Sequence, residues 1–216
     1  MVTRGPTKLL LGRHRRLLLC AWAAVLAVSF APARADDMPT ATPAETRALD
    51  TSRSSADFEV KVLWLVGVHG RFGKVHGTVI LDRARKTVIA DARIDVDMIT
   101  MRNHKYEDWV KSDEFFAARA YPEIRFVSDP FPLDDLRSGG TVAGTLSLRG
   151  IDKRVSFAVT PSACPQAIAN ACPVQANGSI HRSDFGMSSR RGTLSDKVDL
   201  GFSIYLTAPA EQGRAE

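Results

Sequence analysis

Apolar and polar residues alternate along most of the chain beyond residue 57, with the period of two that is typical of half-buried β-strands. The clearest stretch runs from Val88 to Asp97, where apolar residues alternate with Asp and Arg. Strands are predicted near residues 58–64, 75–81, 88–96, 124–126, 142–148, 155–159, 174–180 and 198–206. Short connections make most neighbours antiparallel, and each strand has one apolar face to bury. The pattern therefore predicts an all-β domain of about eight strands, either a sandwich or a closed barrel.

One segment departs from this period and predicts a short amphipathic helix between the third and fourth strands. The helical segment carries Trp109 and ends at Phe115 and Phe116. Tyr121-Pro122 stops it, because a residue before proline is pushed out of the helical region. Two interpretations of the three aromatic side chains stay open. They cap a barrel mouth and touch a ligand, or they only dock the helix on the sheet.

The interior of an eight-stranded barrel can be filled by side chains or can hold one small ligand. Several predicted inward positions carry small residues, which would leave room for a ligand. Large side chains from the opposite wall would fill the same space, and the period alone does not decide between the two. The small inward residues are Gly77, Ala90, Ala92, Gly144, Ala176 and Gly178.

The chain of 216 residues begins with a stretch that predicts a signal peptide. Five basic residues precede an apolar run from Leu17 to Ala31, and Ala33-Arg34-Ala35 fits a cleavage site. Residues 1–35 would direct export to the periplasm by the Sec or twin-arginine route, and a retained N-terminal anchor is the alternative. Six of the 29 basic residues and none of the 24 acidic ones lie there, so the remainder is nearly neutral. The charge therefore gives no argument for nucleic-acid binding.

The remaining chain is long enough for one domain with a sizeable core. Residues 36–48 predict a flexible linker, residues 49–208 the barrel domain and residues 209–216 a disordered tail. Cys164 and Cys172 are the two cysteines after the leader, and an even pair in an exported protein predicts a disulfide. A reactive or metal-binding thiol pair is the alternative, although the loop between the cysteines contains no histidine.

Five motifs follow one another along the barrel domain. They are SDEFF at residues 112–116, YPEIRFVS at 121–128, GTLSLRGIDKRV at 144–155, IHRSDFG at 180–186 and VDL at 198–200. In this order and spacing the chain resembles the YceI-like family of lipid-binding barrels. The opening pattern of that family is also present from Asp50 onward, with Arg53 and Val62 in place of its two histidines. The stretch from Gly67 to Gly77 is longer than the family pattern and brings its own Phe72.

The resemblance implies an extended, lipocalin-like antiparallel barrel of about eight strands, with one helical insertion between strands three and four. It also implies that the interior holds a polyisoprenoid or quinone-like chain, in a carrier, storage or stress role in the periplasm. An apolar lining is enough for such a ligand, because each buried methylene contributes roughly 0.8 kcal/mol. No catalytic residue is predicted, and no cofactor other than the bound isoprenoid lipid or quinone.

The ligand-binding residues follow mostly from the resemblance, with ordinary core packing as the alternative for each. The three aromatic side chains of the helical segment would cap the mouth. Arg182 and Asp184 would pair with each other and contact the head group of the ligand, and Phe185 would plug the barrel end. The predicted wall residues are Phe58, Val60, Trp64, Phe72, Ala92, Phe126, Leu146 and Phe202.

The histidines and aspartates do not predict a metal site or an acid–base site. A zinc site needs three or four converging ligands. That spacing is absent around the histidines of the domain, which are His69, His76, His104 and His181. Asp91, Asp95 and Asp97 share one strand face, but Arg93 lies among them, which predicts an exposed charged face.

Two other functions stay open. One is an envelope enzyme that acts on a hydrophobic isoprenoid-type substrate in the same cavity, which an inward His or carboxylate beside a polar partner would favour. The other is a metal-responsive or structural envelope protein. The expected partner is a hydrophobic isoprenoid-type lipid and not a nucleic acid. The sequence leaves open a membrane-surface or envelope partner and a homodimer.

Overall fold

The computed structural model describes residues 44–162, 164 and 171–208, which form one antiparallel sheet with a few short helices. The strands are β1 (Glu45–Ala48), β2 (Ser55–Val62), β3 (Val66–Phe72), β4 (Val75–Asp82), β5 (Thr87–Asp95), β6 (Ile99–Met101), β7 (Glu123–Ser128), β8 (Phe131–Pro132), β9 (Gly140–Leu148), β10 (Ile151–Val159), β11 (Val174–His181) and β12 (Leu194–Ile204). The α-helices are α1 (His104–Lys111) and α2 (Asp135–Ser138), and 3-10 turns cover Val96–Met98 and Arg182–Phe185. None of the helices in this part of the chain is long and apolar enough to cross a bilayer.

The sheet curls into a barrel because two of its strands are long and bent. The first continues from β1 into β2 and the second from β3 into β4, and their halves pair as β1 with β4 and β2 with β3. The resulting two-stranded ribbon joins the two ends of the sheet, since β4 pairs with β5 and β2 pairs with β12. The order around the barrel is then the ribbon, β5, β7, β9, β10, β11 and β12.

The predicted all-β antiparallel barrel is confirmed. Counting each bent strand once and setting aside the short β6 and β8 leaves eight strands, and α1 lies between the third and fourth of them as predicted. The described sheet has twelve separate segments because both bent strands are interrupted, at residues 49–54 and 73–74, and because β6 and β8 are counted as well. The predicted strands began at residues 58 and 75, so the pattern did not indicate β1 or β3, the first halves of the two bent strands. In β3, Gly67 and Gly70 weaken the alternation of apolar and polar side chains.

A hydrogen-bonded corner interrupts the first bent strand after Asp50. The Asp50 carboxylate accepts hydrogen bonds from the Ser52 backbone N–H (3.0 Å), the Ser52 hydroxyl (2.6 Å) and Arg53 Nε (2.7 Å). The bond from the Ser52 hydroxyl, and then the bond from Arg53, lowers the pKa of Asp50 to about 2. Ser54 is buried behind the corner, and its hydroxyl accepts a hydrogen bond from the backbone N–H of Tyr205 (3.0 Å). The corner is therefore fixed to the residue that follows β12.

The predicted linker reached residue 48, and this boundary is wrong. Residues Glu45–Ala48 form β1, and the buried Arg47 donates a hydrogen bond from Nε to the Thr207 carbonyl (3.0 Å). Leu49 forms a bridge with Leu206 next to it. The pattern did not indicate β1 because the strand has only four residues, of which the first three are polar. The predicted signal peptide, the rest of the linker and the tail at residues 209–216 lie outside the described residues.

Cys164 and Cys172 form the predicted disulfide, with their Cα atoms 6.3 Å apart. The bond closes the connection between β10 and β11. The backbone pairing of these two strands is limited to two residue pairs, Ala158–Asn177 and Val159–Ala176. The disulfide therefore holds together strand ends that share little of the backbone ladder.

Replacing both cysteines with serine should lower the free energy of unfolding by about 2.5 kcal/mol, because the crosslink restricts the unfolded chain. A urea titration followed by far-ultraviolet circular dichroism measures the change. Dithiothreitol provides the control, since it should lower the midpoint of the wild type and leave that of the double variant unchanged. A wild-type midpoint that does not respond to reduction would contradict the prediction.

Candidate ligand-binding cavity

Two adjoining cavities lie inside the barrel. The upper cavity, of about 310 Å³, lies among β2, β3, β12, the α1 segment and the loop after β11. The lower cavity, of about 140 Å³, lies among β4, β5, β9, β10 and β11. Four apolar residues line both cavities and form the waist between them: Ile94, Ile124, Leu146 and Phe202.

Aromatic rings shape one wall of the upper cavity. The rings of Phe58, Phe72 and Phe116 pack against one another, with centroids 5.6 to 6.1 Å apart. Phe116 packs edge to face on both of the others. The close approach of Phe58 to β3 depends on Gly70, where a Cβ atom would clash with the ring. The cluster thus joins β2, β3 and the segment after α1 while its three rings line the cavity.

A hydrogen-bonded rim connects the α1 segment with the loop after β11. Trp109 Nε1 donates to Glu114 Oε2, and Arg190 Nε donates to Glu114 Oε1, both at 2.9 Å. The Arg190 guanidinium also lies 4.8 Å from the centre of the Trp109 ring, a cation–π distance. The hydrogen bond from Trp109, and then that from Arg190, lowers the pKa of Glu114 below its ordinary value. Arg190 is exposed and also lines the upper cavity, so the cavity opens at this rim.

The three aromatic residues of the helical segment line the upper cavity and also dock the segment. Phe115 packs edge to face on Trp109, with centroids 4.6 Å apart, while Phe116 packs on the sheet. Arg149 adds hydrogen bonds to the carbonyl oxygens of Asp113 and Phe115. Docking, one of the two interpretations left open by the sequence, is therefore present, and contact with a ligand stays a prediction.

Arg182 is a cation buried in the wall of the upper cavity, with 3% of its surface exposed. Burial lowers the pKa of Arg182 from its ordinary value, while the negative charge of Asp196 opposes this shift. The guanidinium donates hydrogen bonds to the carbonyl oxygens of Met187 (2.6 Å), Ser189 (2.7 Å), Leu194 (3.3 Å) and Ser195 (2.9 Å). These four bonds hold the loop between β11 and β12 in place.

The predicted ion pair between Arg182 and Asp184 is wrong. Asp184 is exposed, and among the described residues the hydrogen bonds of Arg182 go to backbone carbonyls. Residues two apart in a helical turn do not face each other, which is why opposite charges at this spacing do not meet. The neighbouring Ser183 instead donates from its backbone N–H (2.9 Å) and its hydroxyl (2.7 Å) to the Asp196 carboxylate.

The lining of the lower cavity is entirely apolar among the described residues. Ala90, Ala92 and Ala176 line it, so these small inward residues do leave room. Gly77 serves another purpose, because its φ of 134° and the neighbouring backbone of Asp91 leave no space for a Cβ atom.

Aromatic rings occupy the space that two other small residues leave. A Cβ atom at Gly144 would clash with the ring of Phe126, and one at Gly178 would clash with the ring of Phe157. The rings of Phe126, Phe157 and Phe202 pack edge to face, with successive centroids 5.2 and 4.9 Å apart. The rings of Phe126 and Phe157 belong to the adjacent strands β7 and β10, and not to the opposite wall from which the sequence alternative expected the space to be filled.

Most of the predicted ligand-binding residues surround the two cavities. The upper lining contains Phe58, Val60, Phe72, Trp109, Phe115, Phe116 and Arg182. The lower lining contains Ala92 and Phe126, and Leu146 and Phe202 line both. Their contact with a ligand stays a prediction.

Trp64, Asp184 and Phe185 line neither cavity. The predicted wall position of Trp64 is therefore wrong, whereas the barrel-end plug at Phe185 stays a prediction. Trp64 is 63% exposed, because β2 ends at Val62 and the chain then turns with positive φ at Leu63 and Trp64. The alternation of residues 58–64 continues into this turn, and the period alone does not mark the strand end. Phe185 is 1% exposed and belongs to the core, where the 3-10 turn ends at a left-handed residue, Gly186.

Several lining residues were not predicted from the sequence. Tyr106 and Val110 lie on α1 together with Trp109, at the i, i+3 and i+4 spacing of one helix face. That spacing was the signal that could have identified them. Met101 and Met187 also line the upper cavity, from segments that have too few regular residues to show any period.

The charged face of β5 lies outside both cavity linings. Asp91 accepts two hydrogen bonds from Arg125, at 3.0 and 2.7 Å, and lies 3.5 Å from Arg93. The hydrogen bonds from Arg125 lower the pKa of Asp91, against the opposing effect of burial. Within the part of the chain that the structure describes, no three His, Cys, Asp or Glu side chains converge as metal ligands.

Replacing Arg182 with methionine should lower the free energy of unfolding by about 3 kcal/mol, because buried backbone carbonyls lose their donors. Thermal and urea unfolding measure the change. Arg191→Met is the matched control, since Arg191 is exposed in the same loop and should have little effect. Equal unfolding midpoints for the two variants would show that the carbonyl contacts do not stabilise the loop.

Acidification should open the rim at Glu114. Because the pKa of Glu114 is lowered, its stabilising contribution is complete at its ordinary pKa of 4.5 and above, and is lost as the pH falls through the lowered value. The fluorescence of Trp109, measured in a Trp22→Phe, Trp64→Phe background, should therefore change below pH 4.5. Glu114→Gln in the same background should lack this transition. An identical acid transition in both proteins would exclude Glu114 as its cause.

The sequence matches the YceI-like domain over residues 48–206. The matched segment begins and ends beside Leu49 and Leu206, the pair that forms a bridge where the sheet closes. Among curated proteins, UPF0312 protein YE1254 of Yersinia enterocolitica is 25% identical over 153 residues, which are 68% of this chain and 78% of that protein.

Two solved structures share the fold. Burkholderia cenocepacia BcnA is 25% identical, with a TM-score of 0.61 over 74% of this chain and 99% of that one. A polyisoprenoid binding domain from Saccharophagus degradans, implicated in plant cell wall breakdown, has a TM-score of 0.57 over 77% of this chain and all of that one. Because the two sequences are only 16% identical, this similarity shows a shared fold and nothing more. With the domain match extending over well more than half of its residues, the chain belongs to the YceI-like family.

Proposed function

We propose that the protein binds a hydrophobic chain of the polyisoprenoid or quinone type inside its barrel. The observation that carries this proposal is the pair of adjoining cavities, of about 310 and 140 Å³, behind a rim that opens to solvent. Ligand pockets in proteins are mostly apolar clefts of roughly 300 to 1,000 Å³ with a few placed polar groups. The upper cavity alone is of that size, and the lower cavity extends the space along the barrel.

The distribution of polar groups supports an orientation for the ligand. The lower lining is apolar throughout its described residues, whereas Arg182 and Arg190 contribute cationic groups to the upper lining. A hydrocarbon tail would therefore lie toward the lower cavity, where each buried methylene contributes roughly 0.8 kcal/mol. The polar head would lie at the rim, where Arg190 is exposed. The tail would pass the waist at Leu146 and Phe202.

The family supports the same ligand class. The related domain from Saccharophagus degradans is described as polyisoprenoid binding, and its fold matches this one along its whole length. The cavity linings also favour binding over catalysis. Asp57 is the acidic residue of the upper lining. Its carboxylate accepts a hydrogen bond from Arg71 Nε at 2.6 Å and is therefore engaged in an ion pair. We therefore propose a carrier or storage role without catalysis.

We also propose that the protein works in the periplasm, after export by its N-terminal leader. The Cys164–Cys172 disulfide supports this location, because such bonds form and persist in oxidising compartments. A hydrocarbon chain that crosses the periplasm would be exposed to water. Binding in the apolar interior of a carrier would remove its surface from water, which is favourable.

Mass spectrometry of an organic-solvent extract tests the proposal. Protein purified from an envelope fraction without detergent should yield an isoprenoid-type lipid at about one molecule per chain. Ala92→Trp should release most of the lipid or select shorter chains, because an indole would occupy the lower cavity. Ile80→Trp is the matched control, since Ile80 lies on the outer face of β4.

The circular dichroism spectrum should be the same in all three proteins. A wild type that carries no lipid and takes up none from solution would overturn the proposal. So would equal lipid content in Ala92→Trp and wild type.

A further inference from the structure

The turn between β2 and β3, together with the first residue of β3, exposes four large apolar residues in succession. Leu63, Trp64, Leu65 and Val66, which we call the apolar tip, are 56%, 63%, 87% and 61% exposed. The other exposed large hydrophobic residues of the described chain are isolated: Ile80, Met98, Tyr106 and Tyr121. Single exposed apolar side chains are ordinary, whereas a contiguous group marks a surface for interaction.

The backbone of the apolar tip is a second and independent sign of function. The Leu65 N–H donates to the Val62 carbonyl at 3.1 Å, so Leu63 and Trp64 are the two central residues of the turn. Both have positive φ, 48° and 59°. Hairpin turns with two such residues usually contain Asn and Gly, since large side chains are strained there. The chain keeps Leu and Trp in this conformation and holds both side chains in solvent.

The apolar tip lies beside the opening of the upper cavity. The Leu63 N–H donates a hydrogen bond to the Thr193 carbonyl at 2.7 Å, and Thr193 and Val62 both line the upper cavity. Basic residues flank the same place. Lys61 and Arg191 are exposed, one just before the tip and the other two residues before Thr193.

We propose that the apolar tip docks the protein on the surface of a lipid bilayer that contains anionic lipids. Trp64 would lie at the level of the head groups, as tryptophan does at membrane interfaces, and Leu63, Leu65 and Val66 would enter the edge of the acyl region. Lys61 and Arg191 would meet the negative surface. Docking in this way faces the rim toward the membrane. The consequence that lipid passes directly between bilayer and cavity rests on the function proposed above.

A bilayer fits the apolar tip better than a second copy of the chain does. Four side chains offer a few hundred Å² of apolar surface. A stable protein interface needs roughly 800 Å² on each partner. In a symmetric dimer the tips would also bring the basic residues of the two copies together, whereas anionic lipid attracts them. Weak insertion of a few side chains is reversible, which suits a carrier that must leave the membrane again.

The double variant Leu63→Asn, Trp64→Gly tests the inference, because it removes the apolar side chains and gives the turn residues suited to positive φ. Its melting temperature should equal or exceed that of the wild type. Binding is measured by co-sedimentation of the full chain, purified with the same N-terminus in all variants. The vesicles contain phosphatidylethanolamine and phosphatidylglycerol. We expect the vesicle partition coefficient of the double variant to fall roughly tenfold or more.

Two further variants separate the contributions. Ile80→Ser removes an exposed apolar side chain elsewhere on the barrel and should leave vesicle binding unchanged. Arg191→Glu should weaken binding to vesicles with phosphatidylglycerol and leave binding to pure phosphatidylcholine unchanged. Equal vesicle binding by the double variant and the wild type would overturn the inference. A wild-type dimer in sedimentation velocity that the double variant abolishes would overturn it as well.

A separate assay distinguishes this inference from the proposed function. Geranylgeraniol delivered from ethanol, without vesicles, should bind the double variant as well as it binds the wild type, because the tip lies outside both cavity linings. Transfer of geranylgeraniol from vesicles should be slower in the double variant. If the wild type binds vesicles through the tip but takes up no geranylgeraniol, then the proposed function fails while the docking surface stands.

Discussion

The two cavities depend on the closure of the sheet by the bent ribbon of β1 to β4, because a sheet that ends in free edges would not enclose space. The ribbon reaches both ends of the sheet only if the first bent strand changes partner from β4 to β12 between residues 48 and 55. The corner at Asp50 makes that change, with its carboxylate holding Ser52 and Arg53. The bridge between Leu49 and Leu206 then joins the ribbon to the end of β12. Closure also removes the long exposed edges that make sheets prone to aggregate.

The architecture could be predicted from the sequence because it follows from a single repeated signal. Most long strands alternate apolar and polar residues, and the helical segment stands out by breaking that period. The errors lie where the signal ends. Trp64 continues the apolar and polar alternation of β2, although the strand has already ended. The backbone turn with positive φ directs Trp64 away from the barrel interior. β1 is too short and too polar to show a period at all.

The details of the candidate site were less predictable, since they depend on contacts between residues that are far apart in the chain. Glycines at inward positions predicted space for a ligand. At Gly144 and Gly178, however, aromatic rings from neighbouring strands occupy that space. No local pattern indicates which ring will reach which glycine. Arg182 likewise donates hydrogen bonds to backbone carbonyls of a loop and not to the carboxylate of Asp184, two residues away. The local spacing thus predicted the wrong interaction for Arg182.

The way Arg182 holds its loop has an evolutionary consequence. Carbonyl oxygens are present whatever the side chain, so substitutions between Met187 and Ser195 leave the four acceptors of the guanidinium unchanged. The same loop supplies Arg190 and Thr193 to the cavity opening and supports the neighbouring apolar tip. The side chains at this opening can therefore change among descendants of this protein, while one arginine preserves the shape of the loop.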